Sequence, residues 1–450
     1  MRGSKNISAQ GLWSAAAERS ADAAFSAGGA GTRAAFAPYT MKHALILIAL
    51  LLTASAHAET RKPNVLLFFT DDHGWADIGA QGANADIRTP NLDRLAADGV
   101  RFTRGYVTAP QCTPSRAGLV AGRYQNRFGV EHNGIAMRQE VVTLPERLKE
   151  AGYLSGISGK WHLDVSHEPS AGRRKNVIHP ELAPGHQGFD EYFTGTMQDY
   201  MASHALDGTP FPDAPRAVRD AHCRVVIQTE AALSFLDRRA RKPDQPWFLY
   251  LAYMAPHVPL ESPEPWFSQT PTHLPKERRQ ALALIGAIDD GVGRIREKLA
   301  QMGQAKDTLI FFIGDNGAPL GHVWDGSINL PMRGQKGMLS EGGIRVPFLA
   351  AWPAKIPAGQ IYDRPVISLD VAATAVALAG LPHDPKLDGV NLLPFLTGED
   401  SRAPHQTLYW RWMSQAAIQE FPYKLIALGG HGNLLFDITA PEGEEIGRAS

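Results

Sequence analysis

Residues Cys112-Thr113-Pro114-Ser115-Arg116 open a compact run that continues through Ala117-Gly118-Leu119-Val120-Ala121 and ends at Gly122-Arg123. Pro114 fixes its φ and suits the first turn of a helix, and Ser115 can serve backbone donors there. The apolar residues that follow predict a short helix. Cys112 then sits at or just before a helix N-terminus, where free N–H groups and the macrodipole favour an anion. Arg116 lies one turn on and faces back toward it. The bland reading of the same stretch is a buried structural cysteine beside an arginine that caps a loop.

Working outward, residues 64–70 form a short apolar run with β-branched and aromatic members, the pattern of a strand buried on both faces. Asp71 and Asp72 follow at its C-terminal edge. Residues 247–253 predict a second such strand, which delivers His257. Residues 308–313 predict a third, ending at Gly314-Asp315-Asn316-Gly317, and residues 153–158 a fourth, ending at Gly159-Lys160-Trp161-His162. Helical patterns at 89–98, 144–151, 223–238, 280–302 and 369–379 alternate with them, and residues 100–106 read as a further strand. This alternation predicts an α/β fold, a large mixed sheet between helix layers. Residues 164–220, with many Pro, Gly and His, read as loop. After residue 400, four short segments separated by turns predict a small antiparallel sheet subdomain, 401–450.

In open α/β sheets, ligands collect at the carboxyl ends of strands. Asp71, Asp72, Asp315 and Asn316 all follow such ends. Any one of them alone is more often a turn residue. Together they are hard oxygen ligands with no His or Cys cluster at zinc spacing, which favours Ca²⁺, with Mg²⁺ next.

The 450 residues exceed what one core usually holds. Lys and Arg total 45 against 46 Asp and Glu, so nothing global steers the chain to nucleic acid or to an anionic membrane. There are two cysteines, and Cys223 reads as a buried helical residue. Residues 1–40 are rich in Ala, Gly and Ser without apolar period and read as a spurious extension. From Met41 the pattern changes. Lys42 and His43 are basic, 44–52 is continuously apolar, and Ala56-His57-Ala58 is a small-x-small cleavage site. Residues 41–58 therefore predict a secretory signal peptide, too short to span a membrane. The expected product starts at Glu59, has a catalytic domain over 59–400, and is exported to the periplasm or beyond, with no stable membrane insertion after cleavage.

The Cys-x-Pro-Ser-Arg pattern with Gly-Arg at this spacing resembles the type I sulfatase signature, and the resemblance runs from residue 64 to the C-terminal segments. It implies an alkaline phosphatase-like fold, hydrolysis of sulfuric esters, and oxidation of Cys112 to formylglycine by a separate maturation enzyme. Asp71, Asp72, Asp315 and Asn316 match the family's metal ligands, with modified residue 112 completing the set. Lys160 and His162 resemble its Lys-x-His motif, His257 its second catalytic histidine, and Lys336 its second lysine. The resemblance implies that Arg116 and Lys160 hold the hydrated aldehyde. It gives His257, with Lys336, the protonation of the leaving oxygen, and His162 the proton whose removal releases sulfate. Glu341, Gly342 and Gly343 are expected to shape backbone.

The implied substrate is a sulfated carbohydrate or an aryl sulfate, with Asp164, His204, His322, Trp324 and Arg333 as candidates for selectivity. Two departures stand out. Asp164 follows Leu163 where relatives commonly carry Gly, and relatives continue through a helix beyond a strand like Leu435-Phe436-Asp437-Ile438, so the small subdomain is expected to be truncated. The rival readings are a phosphate or phosphonate ester hydrolase of the same superfamily, which would use Ser or Thr with two zinc ions, and a non-catalytic glycan-binding relative, which would have broken catalytic positions. A chain whose Cys112 is never converted is a third.

Overall fold

The computed structural model describes residues 61–170, 173–439 and 444–449. The expected extension and signal peptide lie outside the described residues. Ten strands form the main sheet: β1 (Asn64–Asp71), β2 (Val100–Phe102), β3 (Leu154–Gly159), β4 (Glu191–Gly195), β5 (Asp199–Ala202), β6 (Arg216–Arg219), β7 (Trp247–Pro256), β8 (Thr308–Gly314), β9 (Phe348–Ala351) and β10 (Gln360–Tyr362). Their spatial order is β10-β2-β9-β8-β1-β7-β3-β4-β5-β6. The centre, β8-β1-β7-β3-β4, is parallel, and antiparallel pairings flank it on both sides.

Period-two alternation distributes β1 between two cores. Val65, Leu67 and Phe69 join one, Leu66 and Phe68 the other, and every residue of β1 is buried. Helices α1 (Pro90–Ala97), α4 (Arg224–Ala240) and α5 (Lys276–Gln301) cover the Leu66 face. Helices α2 (Cys112–Ala121), α3 (Leu144–Glu150) and α7 (Leu369–Leu378) cover the Val65 face, with the short α6 (Glu341–Ile344) beside them. The expected mixed sheet between helix layers is the observed fold. Among the described residues no helix is long and apolar enough to cross a membrane.

A second, antiparallel sheet runs in chain order: β11 (Thr407–Trp412), β12 (Gln415–Glu420), β13 (Tyr423–Ala427), β14 (Asn433–Asp437) and β15 (Glu444–Ala449). The first four are the expected segments. The fifth lies in a charged, unpatterned tail and is held by backbone pairing with β14.

Three expectations need correction. Residues 164–220 are not mainly loop. They hold a hairpin (Val165–Ser170 with Arg173–Ile178) and β4, β5 and β6, which extend the main sheet from β3. These strands are short, and their order comes from register against β3 rather than from their own pattern. Residues 100–106 are not one strand, because the chain changes partner at Thr103-Arg104. Val100–Phe102 pairs with β9 and β10, and Gly105–Tyr106 with Val366–Ile367. Cys223 is half-buried at the N-cap of α4 rather than inside it.

Candidate active site

Because β1, β7, β8 and β3 are parallel and in close register, their carboxyl ends finish at one edge. Thr70 pairs with Gly314, Asp71 with Pro256, and Gly159 with Ala252. The next residues in each strand are Asp72, Asp315-Asn316, His257 and Lys160. Gly159 is required at its turn, since its φ is 105° and a Cβ there would lie 2.0 Å from the Ala252 carbonyl oxygen. Helix α2 aims its N-terminus at the same edge and brings Cys112. Gly122 ends that helix in a left-handed conformation, with Arg123 N–H donating to Gly118 O at 3.2 Å. The Gly122-Arg123 signal is thus a helix stop. Ser115 lies within the helix, and its hydroxyl has no hydrogen-bond partner among the described residues, so the expected service to backbone donors is not seen there.

The side chains converge on Cys112. Its thiol donates to Asp71 Oδ1 at 3.2 Å and lies 4.0 Å from Asp72 Oδ1. Ligand atoms of Asp71, Asp72, Cys112 and His257 all fall within 4.8 Å of one another. Lys160 Nζ reaches Asp71 Oδ2 at 2.5 Å, and Lys336 Nζ lies 2.7 Å from both Asp72 oxygens. Arg116 Nη2 donates to Asp315 Oδ2 at 2.8 Å and lies 3.7 Å from Asp71 Oδ1. The backbone N–H of Asp72 donates to Asp315 Oδ1 at 3.0 Å. Asn316 Nδ2 donates to Asp72 Oδ1 at 2.6 Å, while its buried amide oxygen has no partner among the described residues. His257 Nδ1 faces Val258 O at 2.5 Å, which turns Nε2 toward Asp72 Oδ2 at 3.6 Å. His162, at φ 62°, has Nδ1 3.3 Å from the Thr113 hydroxyl.

The charges are unevenly compensated. Burial works against the Asp71 carboxylate, but Lys160, His257 and Arg116 outweigh it and hold its pKa well below the usual range. Asp315 is pushed up to about 7 by burial and by the nearby Asp71 charge, against Arg116. Burial and Asp71 raise the Cys112 thiol well above its ordinary value, so it stays protonated. Burial and the Lys160 charge keep His162 neutral. Burial likewise lowers His257, against Asp71 and Asp72. Asp71, Asp72, Cys112 and His257 bring ligand atoms close enough to hold a metal ion, and Asp315 adds a further carboxylate through its bond to the Asp72 backbone. Two lysines and an arginine supply the positive charge that such a set requires.

A sulfatase family profile matches residues 63–381. Human N-acetylgalactosamine-6-sulfatase is 35% identical over 372 residues, 76% of this chain and 67% of that protein. The chain belongs to the sulfatase family. It is a sulfuric ester hydrolase of the alkaline phosphatase-like superfamily. Human arylsulfatase A is 34% identical over 393 residues, covering 80% of this chain and 73% of its own. The solved structure of Ps i-CgsB superposes with TM-score 0.72 at 31% identity, over 84% of this chain and 86% of that one. Ps i-CgsB is also solved in complex with k-i-k-neocarrahexaose.

All eleven assignments singled out in the sequence, Cys112 counted as both catalytic and ligand, fall in this one cluster. The selectivity candidates do not all join it. His204 lines a small internal cavity with Glu191 and Arg238, away from Cys112. His322 and Arg333 are exposed, and Trp324 donates its indole N–H to Ser327 O at 2.7 Å. Sequence reasoning missed Thr113, which contacts His162, and Asn133, whose side-chain oxygen accepts from Thr113 N–H at 3.0 Å. It also missed Gln111 and Trp412, whose indole donates to Gln111 Oε1 at 3.3 Å.

Proposed function

We propose that this sulfatase hydrolyses sulfate esters of carbohydrates, using a formylglycine made from Cys112 by a separate maturation enzyme and one Ca²⁺ per chain. Asp71, Asp72, Asp315, Asn316 and residue 112 would hold the ion. The observation that carries this reading is the grouping of Asp71, Asp72, Cys112 and His257, whose ligand atoms all lie within 4.8 Å of one another, with Asp315 and Asn316 each hydrogen-bonded to Asp72.

When present, the ion and the hydrated aldehyde supply a hydroxyl nucleophile toward sulfur and a second hydroxyl through which sulfate can leave. Arg116 and Lys160 sit on Asp71 and Asp315 and stabilise negative charge at residue 112 from inside the protein. Lys336, half-buried on Asp72, would add positive charge on the Asp72 side of residue 112. As an imidazolium, with Nδ1–H donating to Val258 O and Nε2–H on the side of Asp72, His257 would give its Nε2 proton to the departing sugar oxygen and be left as the neutral ring. His162 is neutral and can accept a proton at residue 112, its ring oriented by Thr113.

A carbohydrate substrate is supported by the relatives' names and by the hexasaccharide bound to Ps i-CgsB. Export, with Glu59 as the mature N-terminus, a catalytic domain over 59–400 and the C-terminal subdomain after it, completes the proposal. It rests on the pattern from Met41 to Ala58. The test is turnover by the purified protein on a panel of sulfated mono- and oligosaccharides, with mass spectrometry of the peptide from Thr108 to Arg116. Turnover with CHO in place of CH₂SH at residue 112 is expected. Full activity with an unmodified thiol would refute the formylglycine assignment.

A further inference from the structure

We propose that Arg224 is a positioning residue for His257, holding the backbone from which the imidazole reaches toward residue 112. The proposal rests on the acid role given to His257 above and names what keeps that residue in place.

The segment that carries His257 leaves the sheet just before it. Pairing of β7 with β3 ends at Ala252, and pairing with β1 shifts register between Phe69 and Asp71. The chain then reads Met254-Ala255-Pro256-His257-Val258-Pro259, in which the two prolines bring no N–H. His257 keeps one backbone bond to the sheet, its N–H donating to Asp71 O at 3.1 Å. The carbonyls of this stretch need donors from another element.

Arg224 supplies them. It is the first residue of α4, and its side chain is fully buried. Nε donates to Met254 O at 2.5 Å, Nη2 donates to His257 O, and Nη1 donates to Pro259 O at 2.8 Å. Glu261 Oε2, 2.9 Å from Nη1, balances the charge. One fork thus bonds carbonyls before, at and beyond the histidine. A guanidinium can do so because its N–H groups lie in one plane at fixed angles, whereas an ammonium is a single point of charge. With every nitrogen engaged and no exposure, Arg224 acts on the reaction only through what it holds.

The imidazole takes its bearing from the same backbone. Nδ1 meets Val258 O at 2.5 Å, a carbonyl flanked by the two that Nη1 and Nη2 hold, and Nε2 lies 3.6 Å from Asp72 Oδ2. A shift of the segment therefore moves Nε2 relative to residue 112, and a misplacement of about 1 Å can cost about a hundredfold in rate. One turn along α4, Gln228 Oε1 accepts from Met254 N–H at 3.2 Å, and Gln228 O accepts from the Ser158 hydroxyl at 2.7 Å. Ser158 stands two residues before Lys160 in β3. The start of α4 thus ties the strand end that carries His257 to the one that carries Lys160.

The test is a double-variant cycle in full-length protein, read on nitrophenyl sulfate and on the sugar sulfate that the wild type turns over fastest in the panel above. Arg224→Lys keeps the charge beside Glu261 but cannot span the three carbonyls at once. It should lower kcat for the sugar ester about tenfold and for the aryl ester less than about threefold, with KM held. In a His257→Ala background the same change should cost less than about twofold, because the ring it places is gone. Arg239→Met, at the other end of α4 and bonded to Glu191 at 2.9 Å, is the structural control and should lower melting without this coupling. If melts show Arg224→Lys unfolded, Arg224→Gln replaces it. NMR of protein with isotope-labelled histidine gives a readout free of turnover. At one pH, the signal lost in His257→Ala should move in Arg224→Lys while that of His162 stays. Equal losses in the two backgrounds, or an unmoved His257 signal, overturns the proposal. Equal losses by His257→Ala on both esters would remove the acid role and leave the coupling standing. No turnover of either ester by the wild type would sink the sulfatase reaction, and the histidine signal would then decide the positioning role.

Discussion

Around Glu341, one buried carboxylate meets three donors. Lys424 Nζ lies at 2.9 Å, Tyr106 Oη at 2.9 Å and Arg345 Nη1 at 3.2 Å. Around Cys112, three buried carboxylates gather, and the nearby Asn316 amide oxygen has no partner among the described residues. One segment supplies both groups, since Lys336 serves the second and Glu341 the first. The difference lies in how complete they are. Burial works against Glu341, but Lys424 and Arg345 outweigh it and hold its pKa below the ordinary value. Lys424 has a single anion for company, and burial lowers its pKa. The Glu341 group is a finished strut between the main domain and β13. In the Cys112 group burial and the nearby Asp71 charge push Asp315 up to about 7, against Arg116.

If that contrast is right, substitutions in the two groups should separate stability from chemistry. Lys424→Met leaves Glu341 with less compensation and should cost about 3–5 kcal/mol in urea unfolding. The Lys424→Met, Glu341→Gln double variant should recover most of that loss, because no buried charge is then stranded. A loss below 1 kcal/mol by the single variant, roughly what an exposed pair contributes, would show that the strut is not one.

His257→Ala belongs to the other group and should reverse the pattern. Melting should barely move, while kcat/KM for sugar sulfates falls about 10²–10⁴-fold. Activated aryl sulfates, whose leaving groups need no proton, should lose much less. Equal losses on both would remove His257 from the acid role.

The smallest effect concerns Asp315. Its folded pKa is raised above the unfolded value of 3.8, so the folded chain holds its proton longer than the unfolded chain does. In metal-free protein that contribution lowers stability as pH rises from near 4 toward 7. Asp315→Asn should flatten this slope relative to wild type, read as the difference between two series of urea curves. Superimposable series would show that Asp315 is already compensated without an ion.

The strand ends were legible because each is an apolar run stopped by Asp, His or Lys, and a parallel sheet brings such ends together. Cys112 was legible from its motif. Lys424 was not, since its contact with Glu341 spans 83 residues. A signal did exist, because alternation along β13 puts Lys424 on the same inward face as Ile426. The strands of 164–220 were hidden for a different reason. They are four to six residues long and take their order from pairing, so turn-rich composition dominated the reading. His162 was legible as a motif residue, but its contact with Thr113 depends on a positive φ that no pattern announces.

The most direct test of the contrast is Ca²⁺ titration of chelator-stripped, full-length protein, followed by calorimetry, melting and turnover together. The prediction is one Ca²⁺ per chain, a gain of about 2.7 kcal/mol at a hundredfold excess over Kd, and restored hydrolysis. Absence of Ca²⁺ binding, or turnover restored by Zn²⁺ but by neither Ca²⁺ nor Mg²⁺, would contradict it.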